Sequence, residues 1–175
     1  EHPLTVTIFN DLGSSYWEVG NYREAEVSYQ QARKLSDEVL GSKHPDTATI
    51  LNNLAVLLDH QGKFDEAERF YQEALAIHEE VLGSDHPGTA TILNNLATLY
   101  TVHQRKEREA EHFYQQALAI HEKVLGPEHP DTATSLNNLA MLYGSQGKFV
   151  DAETFHRRAL AIRKERIGEK HPDVA

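Results

Sequence analysis

The dipeptide His-Pro returns at His2-Pro3, His44-Pro45, His86-Pro87, His129-Pro130 and His171-Pro172, at steps of 42, 42, 43 and 42 residues. A period this long restricts the chain to a stack of like supersecondary units, each too small to bury its own apolar face and each covering its neighbour. The steps divide the chain into repeats at 1–43, 44–85, 86–128 and 129–170, with 171–175 opening a fifth. Within each repeat one short segment is restated: Leu-Asn-Asn-Leu-Ala at 51–55, 93–97 and 136–140, and a weaker copy, Phe9-Asn10-Asp11-Leu12-Gly13.

Each repeat reads as two helices. In the second, Pro45 suits the first helical turn, where its missing N–H costs nothing, and Asp46 adds an acid at the positive helix end. Ile50, Leu51, Leu54, Ala55, Leu57 and Leu58 then follow at helical spacing, and Gly62 breaks the pattern. A second helix runs from about Phe64 through Ala67, Phe70, Tyr71, Ala74, Leu75, Ile77 and Val81, and Gly83 supplies a left-handed stop. No period-two alternation competes, so the fold class is all-α.

Three further regularities recur. A small residue follows the Leu of each first helix (Leu12-Gly13, Leu54-Ala55, Leu96-Ala97, Leu139-Ala140), and a large one stands four after that Leu (Tyr16, Leu58, Tyr100, Tyr143). The inter-helix turn carries Gly20, Gly62 and Gly147, each followed by an aromatic two residues on: Tyr22, Phe64 and Phe149. The second helix has Ala25, Ala67, Ala110 and Ala152, with Ala32, Ala74, Ala117 and Ala159 seven later. Small residues let helices cross closely. This pattern resembles the tetratricopeptide repeat, and the long second helix ending in "ALAIHEEVLG" resembles the form found in kinesin light chain and its relatives. The resemblance implies a right-handed α-solenoid of four helix-turn-helix repeats, with a groove lined by the first helices.

The third repeat departs. It has 43 residues, and its turn, residues 101–108, lacks both the glycine and the aromatic. A longer, looser, charged connection is expected between Tyr100 and Ala110, with Arg105, Lys106 and Arg108 available for a basic contact.

A helical wheel places one stripe of each first helix opposite its core face. It holds Thr7, Thr49, Thr91 and Thr134; then Asn10, Asn52, Asn94 and Asn137; then Ser14, Val56, Thr98 and Met141; then Trp17, Asp59, Thr101 and Gly144. An amide offers both donor and acceptor and so can clamp a peptide backbone whatever its sequence. The resemblance to kinesin light chains implies that role for Asn52, Asn94 and Asn137; the same residues are also able to bond across to neighbouring helices. The second Asn of each pair (Asn53, Asn95, Asn138) lies at the stripe's edge and is expected to be structural or inter-repeat. Trp17, the only tryptophan, is either an anchor for a partner side chain or a cap on the first repeat's core.

The stripe contains no Lys or Arg. The carboxylate-gripping residues of chaperone-binding relatives are therefore unmatched, as are the basic groove residues with which kinesin light chains hold acidic cargo. The expected ligand is a neutral or basic peptide. Net charge is −10, unevenly spread: residues 44–85 hold 2 basic and 9 acidic residues, residues 129–170 hold 7 and 5. Nucleic acid, which needs clustered basic residues, is an unexpected partner. There is no cysteine, and no apolar run nears the roughly 20 residues that span a bilayer. No membrane association and a cytoplasmic location are the expectation.

Eleven histidines raise a metal site, but the five of the His-Pro junctions stand a repeat apart, whereas a metal needs three or four converging ligands. No phosphate loop, Gly-x-Ser-x-Gly or dinucleotide fingerprint is present. The chain is expected to be non-catalytic and without cofactor. The leading expectation is a protein-interaction module within a larger scaffold, adaptor or signalling protein. The alternatives are head-to-tail self-association through the repeat ends, aided by the charge difference, and service as the sensor arm of a nucleotide-switch signalling protein.

Overall fold

The computed structural model describes residues 2–104 and 106–170, with side chains up to Glu165 save that of Gln104. The expected fifth-repeat start at 171–175 and the expected contact from Arg105 lie outside these residues. Eight α-helices follow in order: α1 (Pro3–Glu18), α2 (Tyr22–Val39), α3 (Pro45–His60), α4 (Phe64–Val81), α5 (Pro87–Leu99), α6 (Glu107–Val124), α7 (Pro130–Ser145) and α8 (Phe149–Lys170). No strand occurs among the described residues. Each odd helix packs on the even helix that follows it, giving four helix-turn-helix repeats. They fall into two units, residues 1–84 with α1–α4 and residues 85–175 with α5–α8.

The His-Pro junctions have a local cause. At the four described junctions the histidine is the N-cap of an odd helix and the proline its first residue. The imidazole Nδ1 accepts the N–H of the second helical residue: Leu4 to His2 (3.2 Å), Asp46 to His44 (3.2 Å), Gly88 to His86 (3.0 Å) and Asp131 to His129 (3.2 Å). The recurrence that raised a metal site thus serves to start helices. Among the described residues no group of three His, Asp or Glu converges.

Helices α2, α4 and α6 end on glycine. Gly41, Gly83 and Gly126 have φ of 97°, 91° and 98°, and donate their N–H to Ser36, His78 and His121 carbonyls at 2.9, 3.0 and 3.1 Å. A side chain there would strain the left-handed turn that closes the helix.

The turn of repeat three is helical rather than open. α5 continues into a π-helical turn, Tyr100–Gln104. In the other repeats the residue preceding the even helix donates its N–H five residues back: Asn21 to Tyr16, Lys63 to Leu58, Lys148 to Tyr143. In repeat three the matching bond, Lys106 to Tyr100 (3.1 Å), spans six. The widened turn absorbs the extra residue and leaves the flanking helices in register. Lys106 lies over the Tyr100 ring, 4.3 Å from its centroid, and Arg108 is exposed.

Alanines carry the helix crossings. Ala25, Ala32, Ala67, Ala74, Ala110 and Ala117 have no accessible surface. In the first unit the core gathers Val6, Ala25, Tyr29, Ala32, Ile50, Leu54 and Leu57 around both repeats. At Gly13, where other repeats have alanine, a Cβ would come within 2.6 Å of the Tyr29 ring, so alanine there would require that ring to shift.

Candidate functional site

The odd helices bury one face and expose the other, and the predicted stripe lies on the exposed side. On α3, Thr47, Ala48, Ile50, Leu51, Leu54, Ala55, Leu57 and Leu58 are buried, while Thr49 is exposed and Asn52, Val56 and Asp59 are half-buried. On α7, Thr134 and Met141 are exposed and Asn137 and Gly144 half-buried. On α1, Thr7 is exposed and Asn10, Ser14 and Trp17 half-buried; on α5, Thr91 is exposed and Thr98 half-buried, with Thr101 half-buried beyond it.

In the first unit two small cavities open between α1 and α3 and gather much of the stripe. One, about 90 Å³, is lined by Val6, Thr7, Asn10, Asp46, Thr49 and Ile50. The other, about 150 Å³, is lined by Ser14, Trp17, Glu18, Tyr29, Asn53 and Val56. Trp17 packs within the first unit and also faces one of these cavities. Its ring packs on Tyr22 (centroids 5.1 Å apart) and edge-on to His60 (5.2 Å). Burial pushes the Tyr29 hydroxyl pKa up, the Ser14 bond pulls it down, and the Glu18 carboxylate adds to the rise. Tyr29 thus lines this cavity as a neutral phenol.

The Asn ladder divides. Asn10 Oδ1 accepts from Asn53 Nδ2 at 2.9 Å, joining the two repeats of the first unit. Asn137 is half-buried, with Nδ2 3.6 Å from Met141 Sδ. Asn94 turns inward: it is 6% exposed and donates to Ser135 Oγ at 2.8 Å, and Ser135 Oγ stands 2.9 Å from His121 Nδ1. The cause is the residue facing it. Ile50 fills the corresponding place in repeat two, whereas Ser135 leaves both room and a hydroxyl. Asn94 therefore offers no open amide for a ligand. Asn53, expected to be structural or inter-repeat, makes the bond to Asn10 and also lines the larger of the two cavities.

Glu18 and Tyr29 were not singled out from sequence. Glu18 is the last residue of α1, one beyond the wheel position that the stripe followed. In the second unit a cavity of about 480 Å³ between α7 and α8 takes in Met141 and Gly144 with Phe149, His156, Arg157 and Leu160. His156 stands where Tyr29, Tyr71 and Tyr114 fill the other repeats, and it is exposed.

Burial holds the His121 pKa below its ordinary value; the nearby Asp131 carboxylate acts the other way and His129 reinforces the fall. The unfolded chain then takes up a proton near pH 6.5 that the folded chain refuses, so stability is full above that pH and falls as pH drops through it. Thermal melts should show a lower Tm at pH 5.5 than at 7.5. His121→Gln should flatten that slope relative to the wild type, and an equal slope would remove His121 as its source.

Among the described residues no helix is long and apolar enough to cross a membrane. A sequence model of the tetratricopeptide repeat matches residues 4–80, 52–107 and 101–165. Among solved structures, BtubC (BKLC) from P. vanneervenii is similar over 100% of this chain and 69% of that one, with 32% identity and a TM-score of 0.83. Two crystal structures of a Podosopora anserina putative kinesin light chain with nearly identical TPR-like repeats are similar over 98% of this chain and 81% of theirs, with 27% identity and a TM-score of 0.79. No curated protein matches.

Proposed function

From the premise that this chain belongs to the tetratricopeptide repeat family, we propose that it binds a peptide segment of a protein partner along the exposed face of its odd helices. The repeats of this family are protein–protein interaction or scaffold modules and are generally non-catalytic. The observation that carries the finer reading is the pair of cavities between α1 and α3, which draws Thr7, Asn10, Thr49, Ser14, Trp17 and Val56 to one surface. Asn52 on α3 and Asn137 on α7, each half-buried on its own helix, supply main-chain contacts; Thr134, Thr98, Met141 and Asp59 supply side-chain ones. Affinity for such a groove is about micromolar, or roughly −8 kcal/mol.

The test uses a random 12-residue peptide library selected on the chain, followed by calorimetry with the enriched peptide. Asn52→Ala combined with Asn137→Ala should weaken binding about tenfold, or about 1.4 kcal/mol, while circular dichroism shows the helices intact. Unchanged affinity would sink the reading. Asn94→Ala is the wrong probe, because it removes a buried bond to Ser135.

Self-association is a second reading, favoured by Leu4, Ile8 and Leu12. They are 64%, 63% and 39% exposed along one side of α1, and Ile8 and Leu12 stand at positions where Ile50 and Leu54 of repeat two are buried. A strict monomer mass by light scattering across concentration would remove it.

A further inference from the structure

The larger of the two cavities between α1 and α3 is short of hydrogen-bond donors. Asn53 spends Nδ2 on Asn10, Ser14 Oγ donates to the Asn10 carbonyl at 3.2 Å, and the Tyr29 hydroxyl lies 3.1 Å from Ser14 Oγ. Asn53 Oδ1, the Tyr29 oxygen and the Glu18 carboxylate remain as acceptors. Glu18 is exposed and has no ion-pair partner among the described residues. Its position is also unfavourable to the helix, since an anion at a C-terminus opposes the macrodipole. No compensating cation lies on these helices: α1 and α3 hold Asp11, Glu18, Asp46 and Asp59 and no Lys or Arg. Arg23, the basic residue nearest Glu18 in sequence, is exposed at the start of α2 and does not line the cavity, and Lys63 is engaged with Glu26 at 3.7 Å. The indole of Trp17 completes the wall, and an aromatic face beside a carboxylate attracts a cation.

Lysine and arginine side chains only donate and never accept. Their aliphatic stems suit Val56 and the Trp17 ring, and a cavity of about 150 Å³ takes the end of one such chain. We infer that this cavity seats a lysine or arginine side chain of the bound peptide, its charge held by Trp17 and Glu18. The inference rests on the peptide-binding reading above and adds the ligand's chemical class to it. A carboxylate-bearing or purely apolar side chain fits badly, the first by repulsion from Glu18 and the second by leaving the acceptors unmatched.

The test selects the same random 12-residue library on the wild type and on Glu18→Gln. Glu18→Gln removes the charge from a helix end that does not favour it, so its Tm should stay level or rise. The wild type should enrich Lys or Arg at one fixed position, and Glu18→Gln should not. In a synthetic copy of the enriched peptide, norleucine at that position should bind the wild type about tenfold more weakly and Glu18→Gln nearly as well as the parent peptide does. Trp17, the only tryptophan, reports occupancy directly by its emission. Enriched peptides without a fixed cation, or a norleucine loss that Glu18→Gln does not abolish, would overturn the inference while dependence on Asn52 and Asn137 preserved the groove. No enrichment at all would overturn both.

Discussion

Leu54→Ala should cost about 2–5 kcal/mol and lower Tm by roughly 5–20 °C, because it empties the middle of the first unit's core. Leu54 is 2% exposed and packs in one cluster with Val6 and Tyr29 of repeat one and Ile50 and Leu57 of its own helix. The neighbours that would have to collapse into the space are fixed by the alanine crossings on either side, so the cavity term is retained. The same substitution at the equivalent position of repeat one, Leu12→Ala, should cost about 1 kcal/mol or less, since Leu12 is 39% exposed. Urea unfolding of the two variants measures the contrast. Equal losses would mean that the recurring Leu acts through helix propensity and not through burial against the next repeat.

Ser135→Ile should destabilise by about 2–4 kcal/mol although it restores the residue found at Ile8, Ile50 and Ile92. By composition it looks like an improvement: the site is fully buried, and isoleucine gains apolar burial. Against that stand two polar groups, Asn94 Nδ2 at 2.8 Å and His121 Nδ1 at 2.9 Å, both bonded through the one hydroxyl. Isoleucine leaves both without it and adds methyl groups where a hydroxyl fitted. Adding Asn94→Leu should recover part of the loss, because removing both partners of a buried bond costs less than removing one. A stabilised single variant in thermal melts would contradict the network.

The eight helices and the alanine crossings were legible because each follows from a local pattern restated four times. The N-capping role of the histidines was legible in principle, since His-Pro opens each odd helix, yet imidazole is not among the usual capping groups. The widened turn at Tyr100–Gln104 was legible as an extra residue but not as a π-helix, because the count is silent on whether the chain loops out or stays wound. The stripe was readable from the wheel, but its polar members were not interchangeable. Whether an Asn faces outward depends on a residue about 41 positions on, Ser135 for Asn94, where Asn10 instead meets Asn53. Glu18 escaped notice because a wheel of single helices does not show what closes a cavity formed by two.

The central claim is that ligand binds on the odd-helix face. It is tested most directly by backbone amide shift mapping of the ¹⁵N-labelled chain titrated with the library-selected 12-residue peptide. The account predicts saturable shifts concentrated at Thr7, Asn10, Ser14, Trp17, Asn53 and Val56. Shifts centred instead on Gln30, Arg33, Lys34 and Phe70, around the cavity of about 320 Å³ on the even helices α2 and α4, would contradict it.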